Sequence, residues 1–244
     1  MTPDEPDTDH PGRDPDPRRR AIRSFVVRAG RMTVAQERAW TELWPRYGVE
    51  TTEAPLDFVS LFGRDAPRTL EIGFGNGESL VALAAAHPGR DYLGLEVHRP
   101  GVGHLMLRAE ELGLTNVRAI CRDAVEVLQY CIPAATLDEV LLYFPDPWPK
   151  KRHHKRRLLQ SSNLEVIIQR LKPGGQIRLA TDHEEYFQQM QDVTKARSDL
   201  LEEIEFERPA DAREGERTGT NYERKYVKES RAIHTAAFRR RIDV

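Results

Sequence analysis

The fold is decided by residues 69–77, which read TLEIGFGNG. In residues 69–72 the apolar Leu70 and Ile72 alternate with Thr69 and Glu71, as in a short buried strand, and three glycines follow at every second position. An apolar helical stretch, residues 80–83, comes directly after them. A strand that ends in a glycine turn and continues into a helix is the first half of a βαβ unit. We therefore predict an α/β protein with this turn at one edge of a parallel sheet.

The same alternation of short apolar runs with helical patterns continues to residue 181. Four further strands are predicted, at 92–97, 117–121, 139–144 and 176–181. Helices are predicted at about 103–112 and 124–130, and a basic, then amphipathic helix is predicted to end at Leu171, before a turn at 172–175. Such units wind right-handedly into an open, doubly wound, mostly parallel sheet. The ligand crevice of that architecture lies at the carboxyl ends of the strands.

Size and composition fit one globular domain. With 244 residues, 39% of them hydrophobic, the chain can bury one sizeable core. No apolar run reaches the roughly 20 residues of a membrane span, and the first residues do not resemble a secretory signal, so we expect a cytoplasmic protein. Cys121 and Cys131 lack the spacing of a zinc site and are too few for a disulfide framework, which favours reduced thiols.

Charge is distributed unevenly, although the formal net charge is only -2. Residues 1–20 combine acids with prolines and have little to bury, so we predict a disordered tail followed by a single domain, 21–244. Residues 1–17 hold six acids and one arginine, so the 36 Lys and Arg after residue 17 outnumber the 33 Asp and Glu, and that remainder is basic. Arginines concentrate between 18 and 31, and a dense basic block occupies 150–157. Charge of one sign in two places indicates a polyanionic partner.

The glycine turn favours one class of cofactor. Gly73, Gly75 and Gly77 allow positive φ angles and a close approach of a ligand to the backbone, although a tight strand-to-helix connection could use them too. Their spacing is not the G-x-G-x-x-G of dinucleotide binding. Glu71 and Glu78 flank the turn and would repel a pyrophosphate. The cationic amino group of S-adenosylmethionine suits them, so the acids favour this methyl donor over NAD.

Two more acids lie at predicted strand ends. Glu96 follows the turn by about 20 residues, where doubly wound nucleotide-binding proteins hold ribose hydroxyls; the alternative is a solvated strand-end carboxylate. Asp123 is placed to accept from the amine of adenine, but with Glu126 it also has the pattern of a capping box. The two roles are compatible, because a cap leaves one oxygen available.

The segment FPDPWPK, residues 144–150, is the most unusual in the chain. Its three prolines restrict the backbone and would hold Asp146 and Trp148 rigidly at the crevice, as a reaction centre requires. An Asp-Pro turn with a core tryptophan is the alternative. The basic run 151–157 comes next, and it either leads phosphates to the crevice or forms a solvated helix face. His153 and His154 are not predicted to bind metal, because adjacent helix residues point apart.

Two later segments stay ambiguous. Asp182, with Glu185 three residues on, ends the fifth strand and has the pattern of a helix cap. The segment 220–223, TNYE, fits either a capping box or a loop that contacts substrate.

Three segments together resemble those of bacterial tRNA (guanine-N7)-methyltransferases: the turn 71–77, the segment 145–157 and the loop 220–225. The resemblance extends from about residue 24 to residue 238. It implies a Rossmann-like, seven-stranded methyltransferase sheet whose last strand, near 232–238, is antiparallel. It also implies that a methyl group is transferred from S-adenosylmethionine to N7 of a guanine in the variable loop of tRNA.

The resemblance assigns roles to individual residues. Asp146 would be the catalytic residue and would also contact the cofactor. The other cofactor contacts would be Glu71, Gly73, Gly75, Gly77, Glu96 and Asp123. Substrate contacts would be Lys150, Asp182, Thr220, Asn221, Tyr222 and Glu223. RNA contacts would be Arg152, His153, His154, Lys155, Arg156 and Arg157. No metal is implied, and the sequence does not distinguish a monomer from a homodimer.

Three other functions remain as alternatives. An amino-methyltransferase acting on adenine or cytosine would use a loop faintly similar to residues 146–149. An RNA-binding module could keep the fold without catalysis, although the acids at Glu71, Glu96 and Asp123 argue against it. An NAD-dependent dehydrogenase is disfavoured by the spacing and flanking charges of the turn.

Overall fold

The structure is a computed structural model that describes residues 24–25, 31–52, 54–207 and 218–242. The predicted tail 1–20 and Arg23 and Arg28 lie outside the described residues. Within the described part the strands are β1 (Arg68–Ile72), β2 (Asp91–Leu95), β3 (Val117–Ile120), β4 (Leu137–Tyr143), β5 (Leu171–Thr181), β6 (Leu201–Ile204) and β7 (His234–Arg240).

These seven strands form one sheet in the order β3-β2-β1-β4-β5-β7-β6. Strands β1 to β5 pair in parallel, and β7 pairs antiparallel with both β5 and β6. The predicted seven-stranded, mostly parallel sheet is confirmed, including its antiparallel strand near the end of the chain. Strand order runs outward from β1 in one direction and from β4 in the other. The switch point, where such sheets bind ligands, therefore lies between the ends of β1 and β4.

Helices pack on both faces of the sheet. They are α1 (Val34–Glu42), α2 (Trp44–Tyr47), α3 (Phe58–Phe62), α4 (Glu78–Ala86), α5 (Arg99–Glu111), α6 (Ala124–Glu126), α7 (Ser161–Arg170), α8 (Glu184–Lys195) and α9 (Asn221–Lys228). A π-helical turn, Val127–Cys131, continues α6, and a 3-10 helix spans Lys151–Arg156. No helix among the described residues is long and apolar enough to cross a membrane.

Alternate residues of the strands enter two different cores, as the pleat of a sheet requires. Leu70, Leu93 and Val140 belong to one core, which the π-turn, α7 and α8 cover. Tyr92 is adjacent to Leu93 on β2, and Leu141 is adjacent to Val140 on β4. Both belong to the second core, beneath α1, α4 and α5. The sheet is therefore covered on both faces, and its strand ends are left for function.

Two sequence predictions on either side of α7 were wrong. The expected turn at 172–175 is part of β5, whose pairing with β4 is kept on both sides of a bulge. Residues 172–175 bulge out between the paired residues Leu171 and Gln176 without ending the strand, and the positive φ of Gly174, +81°, allows this. The basic and then amphipathic stretch was predicted as one helix, but it forms a 3-10 helix, an extended residue at Arg157 and then α7. The helix is interrupted because Leu158 and Leu159 turn into the core.

Candidate active site

The glycine turn and the proline-rich loop follow β1 and β4, so they lie side by side at the switch point. Helix α9 lies over both. A Cβ atom on Gly75 would be 3.2 Å from Cε2 of Tyr222, and the ring of Phe144 lies 6.2 Å from that of Tyr222 and 5.5 Å from that of Tyr226. Three segments that are far apart in sequence therefore meet around one crevice.

Each glycine of the turn has a positive φ, +76° at Gly73, +62° at Gly75 and +78° at Gly77. A Cβ atom on Gly77 would lie 2.7 Å from the side chain of Leu105, so this glycine lets α5 pack closely. At Gly73, apart from its two chain neighbours, no residue that the structure describes has an atom within 4 Å of the Cβ position. The backbone there is open, which is the condition for close approach of a ligand.

Glu96 is held rigidly beside this turn. Its Oε2 accepts a hydrogen bond of 2.9 Å from the backbone N–H of Gly75, and its Oε1 accepts from the N–H groups of Val97 and His98 at 2.7 and 3.0 Å. Each carboxylate oxygen can accept more than one hydrogen bond. The carboxylate is therefore fixed by the main chain and can still accept from a ribose hydroxyl.

The two acids that flank the turn have different surroundings. Glu71, at the end of β1, is only 3% exposed. Glu78 points away along α4 towards α5, where its Oε1 lies 3.4 Å from Nε2 of His104 and 3.8 Å from Nε of Arg108. Glu78 was expected to favour a cationic cofactor, but it pairs with basic side chains of α5 instead. Of the two flanking acids, only Glu71 remains to favour a cationic cofactor.

Asp123 caps a helix, as its position predicted. Its Oδ1 accepts a 2.9 Å hydrogen bond from the N–H of Val125. The predicted capping box is not formed, because Glu126 pairs with Arg122 at 2.9 Å. A contact between Asp123 and adenine stays a prediction.

The loop after β4 is anchored at its first residue, where the N–H of Phe144 donates to the carbonyl of Ala180 at 2.7 Å. Phe144 and Trp148 both adopt the left-handed region, with φ of +50° and +44°. Left-handed backbone at non-glycine residues is strained and concentrates at functional sites. Between these two residues the loop exposes Asp146 to solvent.

Trp148 is not a core residue, so that alternative is wrong. It is half-buried, and its Nε1 donates a 3.0 Å hydrogen bond to the carbonyl of Ser24. The guanidinium of Arg156 lies 4.9 Å from its ring centroid, and the ring of His153 meets it edge-on at 5.8 Å. Trp148 thus joins the start of the described chain to the basic segment.

The basic segment presents most of its cations to solvent, with Lys150, Lys151, Arg152 and Lys155 all exposed. Desolvation, reinforced by the neighbouring cations, lowers the pKa of His153, which favours the neutral imidazole. No group of three or more potential metal ligands occurs in the part of the chain that the structure describes.

Similarity to known proteins decides the family. A family model described as "Putative methyltransferase" matches residues 65–236. The tRNA (guanine-N(7)-)-methyltransferase of Alkalilimnicola ehrlichii is 51% identical over 225 residues, which cover 91% of this chain and 94% of that protein. The protein of the same name from Halorhodospira halophila is 46% identical, over 92% of this chain and 97% of that one. The chain belongs to the tRNA (guanine-N(7)-)-methyltransferase family.

Solved structures support the fold alone. The 16S rRNA methyltransferase KamB superposes with a TM-score of 0.55 at 14% identity, over 80% of this chain and 99% of that one. A second structure, described as an antibiotic-related methyltransferase, gives 0.54 at 14% identity, over 78% and 96% of the two chains. The sheet is thus the Rossmann-like methyltransferase sheet that the resemblance implied.

The structure corrects one RNA contact that membership of this methyltransferase family implied. Arg157 is only 2% exposed. Its Nε donates to the carbonyl of Pro147 at 2.8 Å and its Nη1 to Oε1 of Gln189 at 2.7 Å, while the guanidinium lies 4.9 Å from the ring centroid of Tyr186. Because it is enclosed by these protein groups, a phosphate cannot reach it.

Asp182 does not cap α8. The cap is His183, whose Nδ1 accepts from the N–H of Tyr186. Asp182 instead accepts a 2.6 Å hydrogen bond from Nη1 of Arg231, which follows α9. This pair ties the end of β5 to the α9 region, and a substrate contact from Asp182 stays a prediction.

The segment 220–223 of this methyltransferase chain is a helix cap. The side chain of Thr220 accepts from the N–H of Glu223, and Oε2 of Glu223 accepts from Thr218 N, Thr218 Oγ1 and Gly219 N at 2.7, 2.8 and 3.1 Å. Thr220 and Glu223 are buried and build the loop, so a direct substrate contact would require it to open, and stays a prediction for them. Asn221 and Tyr222 are exposed.

Sequence reasoning missed Gly101. A Cβ atom there would lie 2.0 Å from the carbonyl oxygen of Gly75, so only glycine lets the start of α5 approach the turn. The pair Pro100-Gly101 could have indicated this contact. Proline is common in the first turn of a helix, and a glycine inside a helix usually marks a place where another part of the chain packs closely.

Proposed function

We propose that this chain transfers a methyl group from S-adenosylmethionine to N7 of a guanine in tRNA. The observation that carries the proposal is the position of Asp146, exposed between two strained residues at the switch point, beside an open glycine turn and directly before an exposed run of cations. The names of the relatives support the same reaction. A tRNA substrate would place the protein in the cytoplasm.

The residues at the crevice fit S-adenosylmethionine. The open backbone at Gly73 allows close approach, and the fixed carboxylate of Glu96 suits a ribose. Glu71, buried next to the turn, would offset the positive charge of the amino group, and Asp123 would accept from the amine of adenine. When bound, the cofactor supplies an electrophilic methyl group on a sulfonium.

Guanine N7 carries an unprotonated lone pair at the major-groove edge of the base, so the reaction does not require a general base. Positioning and charge must therefore dominate. Positive charge develops on the base as the methyl group arrives, and the Asp146 carboxylate would stabilise that charge more than it stabilises the neutral guanine. Phe144 and Trp148 would keep the carboxylate in place, and Asn221 and Tyr222 would contact the nucleotide from α9.

The identity of the methylated atom tests the proposal. Incubation with labelled S-adenosylmethionine and total tRNA, followed by digestion to nucleosides, is expected to yield 7-methylguanosine. A heat-inactivated protein serves as the blank. A methylated adenine or cytosine would favour an amino-methyltransferase instead, and absence of both methylation and cofactor binding would favour an RNA-binding module.

A second experiment tests the exposed cations. The triple variant Lys151→Gln/Arg152→Gln/Lys155→Gln should weaken tRNA binding and lower the slope of log affinity against log salt by about 2, since each lost phosphate contact removes roughly 0.7–0.9. Filter binding between 50 and 300 mM salt measures both. Lys195→Gln, which removes an exposed cation on α8, is the control. An unchanged slope in the triple variant would remove this segment from the RNA interface.

A further inference from the structure

The loop that carries Asp146 has few backbone groups with which to hold itself. Pro145, Pro147 and Pro149 have no N–H, so they cannot donate to the neighbouring strand or helix. The loop is fixed at its start by the N–H of Phe144 and at its far side by the indole of Trp148. A hydrogen bond to the carbonyl oxygen of Pro147, next to Asp146, needs a donor, and the prolines of the loop supply none.

Arg157 supplies that donor. Its Nε lies 2.8 Å from the carbonyl oxygen of Pro147, the residue next to Asp146. Its Nη1 donates to Gln189 on α8, and its Nη2 lies 3.0 Å from Nε2 of His154. The guanidinium is thus bound on several sides while its side chain is 1% exposed.

Helix α8 makes this a rigid support. The ring of Tyr186 lies beneath the guanidinium, and its hydroxyl oxygen accepts from the N–H of Leu159 at 3.1 Å. Burial raises the pKa of Tyr186 to about 12, so the phenol stays neutral at working pH. Gln189 also donates to the carbonyl of Leu159. Tyr186 and Gln189, the two α8 residues that contact Arg157, are therefore both held by hydrogen bonds to the backbone of Leu159, just before α7.

We infer that Arg157 is a positioning residue, which acts through the carbonyl of Pro147 to hold the Asp146 carboxylate at the crevice. The left-handed conformations at Phe144 and Trp148 require such support, because strained backbone persists only where the surroundings fix it. The inference rests on the proposed function, in which Asp146 is the catalytic residue. It gives adjacent arginines opposite tasks: Arg156 stacks on the outer tryptophan, and Arg157 holds the loop from inside.

Kinetics of Arg157→Met and Arg157→Lys test the inference. Misplacement of a reacting group by about 1 Å costs on the order of 100-fold in rate, so Arg157→Met should slow single-turnover methylation at saturating cofactor and tRNA by about 10- to 100-fold. Its tRNA Kd should stay within about twofold of the wild-type value, since a buried residue makes no phosphate contact. Lysine keeps a cationic donor group at a single nitrogen, so Arg157→Lys should recover part of the rate.

Arg170→Met is the matched control. Arg170 also donates from its guanidinium to main-chain carbonyls, those of Leu128 and Gln129, but it lies at the end of α7, away from the crevice. The Tm of Arg170→Met measures how much the loss of such an arginine destabilises the fold when the Asp146 loop is left intact. Equal slowing in both variants would overturn the inference. So would a weaker tRNA Kd with an unchanged saturated rate in Arg157→Met.

A readout independent of activity separates this inference from the proposed function. In a Trp40→Phe/Trp44→Phe background, Trp148 is the only tryptophan of the chain, so its fluorescence reports on the loop. Adding Arg157→Met should lower the anisotropy of Trp148 and increase its quenching by acrylamide, whereas Arg170→Met should change neither. Unchanged anisotropy and quenching in Arg157→Met would overturn the inference even if the wild-type protein forms 7-methylguanosine. If the loop becomes mobile in Arg157→Met but the wild-type protein forms no 7-methylguanosine, only the proposed function is rejected.

Discussion

Replacement of Asp146 by asparagine is expected to slow methyl transfer by about 100- to 1,000-fold at saturating cofactor and tRNA, the usual cost of losing one electrostatic contact to the transition state. Asparagine preserves the size of the side chain and removes its negative charge. That charge interacts more strongly with the methylated, positively charged base than with the neutral one, so its loss affects the transition state most.

Single-turnover assays with labelled S-adenosylmethionine measure this effect, and calorimetry measures cofactor binding separately. The cofactor Kd of Asp146→Asn should rise only a few-fold, because the fixed contacts at Gly75 and Glu96 are untouched. Asp192→Asn, which changes an exposed acid on α8, should react at the wild-type rate. An unchanged rate in Asp146→Asn would rule out electrostatic stabilisation by this carboxylate.

The sequence was most informative where local chemistry decides the structure. Glycines at alternate positions required positive φ, and the turn has it at Gly73, Gly75 and Gly77. Strand β1 was predicted within one residue of its observed start, and Glu96 lies just past the end of its strand. These features depend on neighbours along the chain, so the pattern of residues was sufficient to predict them.

Prediction failed where tertiary contacts decide between adjacent residues. Arg156 and Arg157 are identical in type and belong to one basic run, but only the fold shows that the second turns inward onto Tyr186 and Gln189. Likewise, Asp182 has the pattern of a cap, but Arg231, 49 residues on, holds it, and His183 caps the helix instead. A polar residue near a helix start can take either role, and the distant partner determines which.

Helix α9 shows the same limit on a larger scale. A cap at Thr220 was one of the two alternatives that the sequence left open, but the position of the helix over Gly75 and Phe144 was not predicted. Strand β6 was also unpredicted, since its charged residues Glu202 and Glu203 obscure an apolar pattern.

Gly101→Ala is expected to weaken S-adenosylmethionine binding by about 100-fold, the second large effect. A Cβ atom at this position would lie 2.0 Å from the carbonyl oxygen of Gly75, whereas carbon and oxygen normally approach to about 3.3–3.6 Å. The helix cannot easily retreat, because Gln36 donates to the carbonyl of Pro100 and Glu96 binds the N–H of His98. The glycine turn must therefore move by about 1 Å, which displaces the backbone that receives the cofactor.

Weaker cofactor binding by Gly101→Ala would reflect the clash with Gly75 and not the difference in helix propensity between glycine and alanine. Alanine is about 1 kcal/mol better than glycine inside a helix, so propensity alone would leave α5 stabilised by Gly101→Ala. Gly89→Ala is the matched control, because among the described residues only its chain neighbours come within 4 Å of its Cβ position, and its φ is not positive. Calorimetric titration should show a normal cofactor Kd for Gly89→Ala. A normal Kd for Gly101→Ala as well would mean that the turn yields without cost, and that close packing of α5 does not shape the cofactor site.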